Sequence, residues 1–351
     1  MTLDIARARL HAQRLVRPLP TPTSVVAHLV AVQSQDYYGA AWALAQRSKP
    51  TTAAAIDRAF ADGSILRTHV MRPTWHFVTP ADARWLLELT GPRVQKANAY
   101  WYKQVGLTAT KLAKTDTALA NALAGGQHLT RDELAKRFGV ASAVMTHVMM
   151  HAELERVVIS GPRRGKQFTY ALFDERVPAS PALSSDDALA LLARRYVTSH
   201  GPAQVSDFRW WSGLTVGDAR RALELANLPV HEAGTLRYYT PARSRHGVLR
   251  DPTVHLLPNY DECLVAFADR TAAHDARVKK LDAVILGAHF VLSNGKLIGG
   301  WRRVKAKGTT VVQATLLAKP TRAELAGMNA ATSRLGTFLG APARLDLTGS
   351  S

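Results

Sequence analysis

The sequence predicts an α+β protein of tandem winged-helix units followed by a small C-terminal β-barrel. Three observations predict it. Helix-capping signals recur along the first two thirds of the chain. The order helix, helix, helix, hairpin appears twice there, as in the winged variant of the helix-turn-helix. Short strand-like runs then crowd the segment after residue 252.

Residues 1–115 read as a helical, winged-helix first domain. Segments 23–33, 37–46 and 52–61 supply its helices, and 66–70 with 74–78 its wing. Thr79, Pro80 and Asp82 open a further helix that Gly91-Pro92 should stop near residue 89. Residues 116–175 form the second unit. A short helix covers 116–124, and the box Thr130–Glu133 opens another over 132–138, ended by Gly139. A third helix, 142–155, buries Val144, Val148 and Ala152 at four-residue spacing. Strands at 156–159 and 168–172 make the wing. A Pro- and Ser-rich linker follows, and residues 184–243 repeat the order, with helices at 186–198, 205–211 and 215–226 and a wing around Val230 and 236–239. Residues 252–349 hold strands at 254–257, 264–266, 283–286, 290–292, 296–304 and 310–316, with a hairpin turn at Ser293-Asn294-Gly295. A final helix is capped by Thr321 with Glu324 and ends at Gly340.

The charge balance is strongly basic. Among 351 residues, 45 Lys and Arg oppose 27 Asp and Glu, a net +18. That points to a polyanionic partner and away from a cation-binding acidic protein. No acid separates Glu88 from Asp116, Glu155 from Asp174 or Asp282 from Glu324. The second block holds the wing Arg163, Arg164 and Lys166. The third holds Trp301, Arg302, Arg303, Lys305 and Lys307. These blocks read either as solvated faces or, beside winged-helix units, as phosphate contacts. The first block adds Tyr100-Trp101-Tyr102.

Several motifs carry less than they suggest. Residues 161–166 imitate a phosphate loop but are one residue short and join two strands. His147 and His151 stand at i, i+4 without a third ligand at useful spacing, so no metal is expected, and the pair is expected on an exposed helix face. Trp210-Trp211 reads as core packing. His69 and His76 flank Arg72-Pro73-Thr74-Trp75 and read as structural or site-lining. The single cysteine, Cys263, excludes an internal disulfide and Cys-based zinc fingers. No run is long and apolar enough to span a bilayer, and the N-terminus lacks a secretory core. A cytoplasmic, nucleoid-associated monomer without a cofactor or membrane partner is the expectation.

Gln33-Ser34-Gln35 is the unusual element. A helical apolar pattern runs into two glutamines two residues apart. On a continuous helix these point apart, whereas at a helix break they converge. Two carboxamides then hold a water without carrying charge.

The sequence resembles the AlkZ-like (YcaQ-related) family of winged-helix DNA glycosylases over nearly its whole length. The residues that carry the resemblance are 32–36 (VQSQD), 66–76 (LRTHVMRPTWH), 207–213 (DFRWWSG), 257–262 (LPNYDE) and 294–303 (NGKLIGGWRR). The resemblance implies tandem winged helices plus a β-barrel around duplex DNA. It also implies hydrolytic, monofunctional excision of alkylated purines, in some members from interstrand crosslinks. The family's catalytic Gln, aliphatic, Gln element maps onto Gln33 and Gln35, with Ser34 as a polar departure between them. Asp36, His76 and Asp261 are expected to line the site. The alternative from a different class is a winged-helix DNA-binding protein without catalysis.

Overall fold

A computed structural model describes residues 4–242, 252–278, 289–306 and 308–348. The first region holds α1 (Ile5–Ala12), α2 (Pro22–Leu29), β1 (Val32–Gln33), α3 (Tyr37–Arg47), α4 (Ala53–Ala61), β2 (Leu66–Val70) and β3 (Arg72–Val78). Local chemistry sets these boundaries. Thr21 and Ser24 cap α2 reciprocally with Pro22 in the first turn, and Thr52 accepts from the Ala55 N–H to open α4. The three strands form an antiparallel sheet in the order β1-β3-β2.

Helix α5 (Pro80–Gln104) passes straight through Pro92, where the sequence predicted a stop. The residue before a proline avoids helix mainly because its own Cβ clashes with the proline ring. Gly91 has no Cβ, and that position lies 3.1 Å from the Leu154 carbonyl, so glycine also lets α5 pack closely on its neighbour. The Thr79 hydroxyl does not cap the helix; it donates to Asp82 Oδ2 at 2.9 Å.

The helix, helix, helix, hairpin order recurs. The second occurrence is α6 (Ala109–Leu123), β4 (Leu129–Thr130), α7 (Arg131–Phe138), α8 (Ser142–Leu154), β5 (Val158–Ser160) and β6 (Thr169–Leu172), with a helical turn α9 (Phe173–Arg176). Its first helix begins seven residues before the predicted start, because Thr108 caps it through the Lys111 N–H. The third is α10 (Ser185–His200), α11 (Val205–Ser212), α12 (Val216–Ala226), β7 (Val230–Ala233) and β8 (Leu236–Tyr239).

The C-terminal region holds β9 (Val254–Leu257), α13 (Glu262–Val265), β10 (His289–Ser293), β11 (Lys296–Ala306), β12 (Thr309–Leu316), α14 (Arg322–Leu339) and β13 (Ala343–Leu347). The strands form one sheet in the order β13-β12-β11-β10-β9, with β13 parallel to β12. Among the described residues β9 and β13 are its two edges, so the expected closed barrel is not found. Instead α14 covers the sheet: Met328, Ala331, Leu335 and Phe338 join one apolar cluster with Val254, Leu256, Val312 and Ala314. The run predicted as a strand at 264–266 lies mostly in the helical turn α13, which Asp261 caps by accepting from the Cys263 N–H. The predicted strand at 283–286 lies outside the described residues.

Two cores meet at β1. Val32 belongs to the cluster that joins α2, α3 and Phe77 to the C-terminal sheet. Val30 and Ala31 belong to the other, which joins Leu66, Met71 and Leu86 to Tyr196, Phe208, Trp211 and Phe267. The glutamine element therefore sits on the seam between two packed bodies, where side chains from distant segments converge.

Candidate active site

Helix α2 ends sharply before the glutamines. Val30, fully buried, adopts φ 72 and ψ −52, the conformation of a γ-turn that is rare and strained for a β-branched residue. The chain then runs extended. Val32 pairs with Phe77 and Gln33 with His76, and the Ser34 N–H continues the ladder to the Trp75 carbonyl at 2.7 Å. Extended backbone puts alternate side chains on opposite faces. Ser34 is the inward one, with no exposed surface, while Gln35 is exposed and Gln33 retains 9% of its surface. The sequence anticipated a helix break; the break is the two-residue strand β1, whose ladder Ser34 continues, with the exposed Gln35 at a bend beyond it.

Gln33 is held from two directions. Its backbone N–H donates to Glu262 Oε1 at 2.8 Å, and its side-chain Oε1 accepts from the Arg72 guanidinium at 3.2 Å. Arg72 follows Met71, another buried non-glycine residue with positive φ (64°), at the irregular end of the β2–β3 pairing. The same guanidinium lies 3.4 Å from His76 Nε2 and 3.5 Å from the Trp210 carbonyl near the C-terminus of α11. That helix end carries partial negative charge, which suits a cation. Gly213, just past it, leaves no room for a Cβ against the Met71 carbonyl, 2.3 Å from the Cβ position.

The protonation states follow from burial. His76 is fully buried, and desolvation, helped by the Arg72 charge, pushes its pKa down to about 3. It is therefore neutral at physiological pH. Nδ1 lies 2.9 Å from the Thr74 carbonyl and so carries the proton, leaving Nε2 to accept from Arg72. Desolvation also lowers the Arg72 pKa, partly offset by the Glu262 charge. Glu262 is fully buried. Desolvation opposes its ionisation, but His200, 3.5 Å from Oε2, and the Gln33 N–H hold its pKa below the usual carboxylate range. Oε2 also accepts from the Trp211 indole N–H at 3.1 Å.

The other sequence-predicted residues divide. Asp36 is half-buried at the start of α3, and its carboxylate packs over Gly39, where a Cβ would push it aside. Its charge, opposed by that of Arg303, bears on His289, whose pKa burial lowers. Asp261 is fully buried and bonded by both oxygens to Arg47 at 2.7 and 2.8 Å, which makes it structural.

Among the basic candidates, Arg164, Lys166, Arg302, Arg303 and Lys305 are exposed, and Arg163 is half-buried. Arg302 Nε donates to Gln313 Oε1 at 2.9 Å, on the part of β11 beyond its pairing with β10. Arg163 and Arg164 are engaged elsewhere. Arg163 donates to Asp57 and the Tyr38 hydroxyl and lies 4.4 Å over the Tyr37 ring, stapling the second unit to the first. Arg164 pairs with Glu133 at 2.6 Å. Trp301 is core: 5% exposed, its indole N–H donating to the Leu257 carbonyl. Lys307 lies outside the described residues.

Of the tryptophan pair, Trp211 is buried and Trp210 is 48% exposed, so only one packs the core. His147 and His151 are half-buried, not exposed; His151 Nε2 faces Asp116 at 3.2 Å. Among the described residues no His, Cys, Asp and Glu cluster is arranged to hold a metal ion. No described helix is long and apolar enough to cross a membrane. Arg72 and Glu262 were not singled out from the sequence, although both lie inside the runs 66–76 and 257–262 that carried the resemblance.

The chain as a whole is similar to known DNA glycosylases. The family described as "DNA glycosylase AlkZ-like" matches residues 26–338. A curated relative, "Interstrand DNA cross-link repair glycosylase" of Streptomyces sahachiroi, is 26% identical over 210 residues, covering 56% of this chain and 56% of that protein. The chain thus spans little more than half the length of the curated relative. The solved structure "Streptomyces sahachiroi DNA glycosylase AlkZ" superposes with a TM-score of 0.77 at 20% identity and covers 98% of both chains, which shows a shared fold.

Proposed function

The chain belongs to the AlkZ-like DNA glycosylase family, and from that premise we propose that it is a monofunctional DNA glycosylase acting on alkylated, cationic purines in duplex DNA, interstrand crosslinks included. The observation that carries the reading is the Gln33 carboxamide anchored by Arg72 on a strand between two cores, with the exposed Gln35 two residues further along the chain.

The chemistry suits neutral groups. A purine alkylated on a ring nitrogen is positively charged and leaves as a neutral base, so its departure needs little acid. The glycosidic bond breaks with its electron pair moving to the base. A water oxygen then bonds to the sugar carbon and loses a proton to solvent. The protein's task is to place that water beside the developing sugar cation. Gln33 and Gln35 do this, with Asp36 lining the site and His76 buried behind it against Arg72. Selectivity comes from the lability of the lesion.

The three helical units act as winged helices with the boundaries 1–115, 116–175 and 184–243, ahead of the sheet region 252–349. Lys166, Arg302, Arg303 and Lys305 contact phosphates. The enzyme works as a cytoplasmic, nucleoid-associated monomer without a cofactor; the +18 charge supports the association with DNA. The deciding experiment is release of free base from methylated duplex DNA by the purified protein. Retained duplex binding with no release from any cationic purine lesion would leave a DNA-binding protein without catalysis.

A further inference from the structure

Arg72 is a half-buried cation with no carboxylate partner among the described residues. Its partners are all neutral: Gln33 Oε1 at 3.2 Å, His76 Nε2 at 3.4 Å and the Trp210 carbonyl at 3.5 Å. Its Nε is buried without a hydrogen-bond partner. Two buried arginines meet carboxylates, Arg47 with Asp261 and Arg9 with Asp207, whereas Arg67 donates to the Ser34 carbonyl and lies over the Trp75 and Phe168 rings. The nearby carboxylate of Glu262 is committed to the Gln33 N–H and the Trp211 indole. A cation kept among neutral acceptors does little for folding, because burial of its charge is only partly repaid. The backbone departs from common conformations on both sides of the contact, at Val30 and Met71. Such departures persist where surrounding structure holds them, and they cluster at functional sites.

We propose that Arg72 is a positioning residue that fixes the Gln33 carboxamide as a hydrogen-bond donor. This rests on the glycosylase reading above. Arginine has five N–H donors and no acceptor. A glutamine facing it must therefore present its oxygen, and the amide nitrogen is turned away. The guanidinium also draws electron density from the amide and strengthens its N–H donors. Neutral His76 supports the arrangement by accepting from Arg72 through Nε2. Gln33 then holds the oxygen of the attacking water with a donor, and Gln35 is left to accept from the water's hydrogen. A glutamine pair that looks symmetric in sequence is asymmetric in role.

The test is a double-mutant cycle on the full chain: wild type, Arg72→Met, Gln33→Ala and the double variant. Single-turnover base release and duplex affinity are measured for each. Arg72→Met should slow release about 10²-fold, the scale of a lost positioning contact, with affinity changed by less than about threefold. In the Gln33→Ala background the same change should cost less than about threefold, since its target is gone. Arg72→Lys should recover part of the rate, because an ammonium still reaches Oε1 but lacks the planar fork. A second readout does not depend on turnover: the Gln33 side-chain amide signal in a ¹⁵N-correlated spectrum, assigned with Gln33→Ala. It should shift and broaden in Arg72→Met. Multiplicative rate losses, or an unmoved amide signal, would overturn the proposal. If wild type releases no base, the glycosylase reading falls and the amide signal alone decides whether Arg72 orients Gln33. If Arg72→Met does not fold, Arg72→Lys carries both measurements, and a wild-type rate and amide signal in that variant overturns it.

Discussion

The Gln33 backbone N–H and the Glu262 carboxylate meet at 2.8 Å although 229 positions separate them in the chain. That bond ties the glutamine strand to the helical turn after β9. The same carboxylate holds the Trp211 indole, so one buried group joins three segments. Glu262→Ala should leave both donors unsatisfied in the interior. Each orphaned donor costs about 1–3 kcal/mol, so a loss of roughly 3 kcal/mol in urea unfolding is expected. Glu262→Gln keeps an acceptor for one donor and should cost less. Equal stability of Glu262→Ala and wild type would show that the carboxylate does not organise the strand.

Gln33→Ala and Gln35→Ala should separate catalysis from binding. Neither side chain supplies charge to phosphate, so duplex affinity should stay within about threefold of wild type. Release of an N-alkylpurine should slow by about 10²-fold or more in each variant. Wild-type rates in both variants would remove the pair from the mechanism.

The basic residues divide by what they already touch. Duplex affinity should fall steeply with salt and depend little on sequence. Lys166→Gln, Arg302→Gln, Arg303→Gln and Lys305→Gln should each lower the salt slope by about one, because these side chains are exposed. Arg163→Gln should leave the slope unchanged and lower stability instead. Its guanidinium is spent on Asp57, Tyr38 and the Tyr37 ring. A titration of affinity against salt, paired with thermal unfolding, distinguishes the two classes.

What the sequence made legible was mostly local. Caps such as Thr130 with Glu133 and Thr321 with Glu324, and the glycine stops at 139 and 340, place helix ends within a residue or two, because each needs only neighbours three or four positions away. The hairpin at Asn294-Gly295 is legible for the same reason, both residues having positive φ. What escaped was set by tertiary contact. Helix α5 continues through Pro92 because α8 packs against Gly91. Strand β13 joins the sheet beside β12, a pairing that no local pattern encodes. The glutamines were legible as an oddity. Their anchors Arg72 and Glu262 were not, since the contacts that join them to Gln33 span 39 and 229 positions. Arg163 looked like a free wing charge only because Asp57 is 106 positions away.

The buried histidines predict how stability responds to acid. His28 is held neutral down to about pH 4, and His76 and His255 down to about pH 3, in each case mainly by desolvation. In the unfolded chain these rings titrate near the ordinary value of about 6.5. Between those limits the unfolded state binds protons that the folded state refuses, so the unfolding free energy rises with pH there. Stability is therefore fully present above about pH 6.5 and is lost as pH falls toward 4. Each histidine removes up to about 1.4 kcal/mol per pH unit in that window. Replacing His255 with Asn or Gln, which do not titrate, should flatten the decline by one proton's worth. Unfolding free energies from urea titrations at pH 7.5, 6, 5 and 4.5 check this. The linkage predicts a slope that steepens below about pH 6.5 in wild type and is shallower in the variant; a flat profile would mean that these rings accept protons in the folded state.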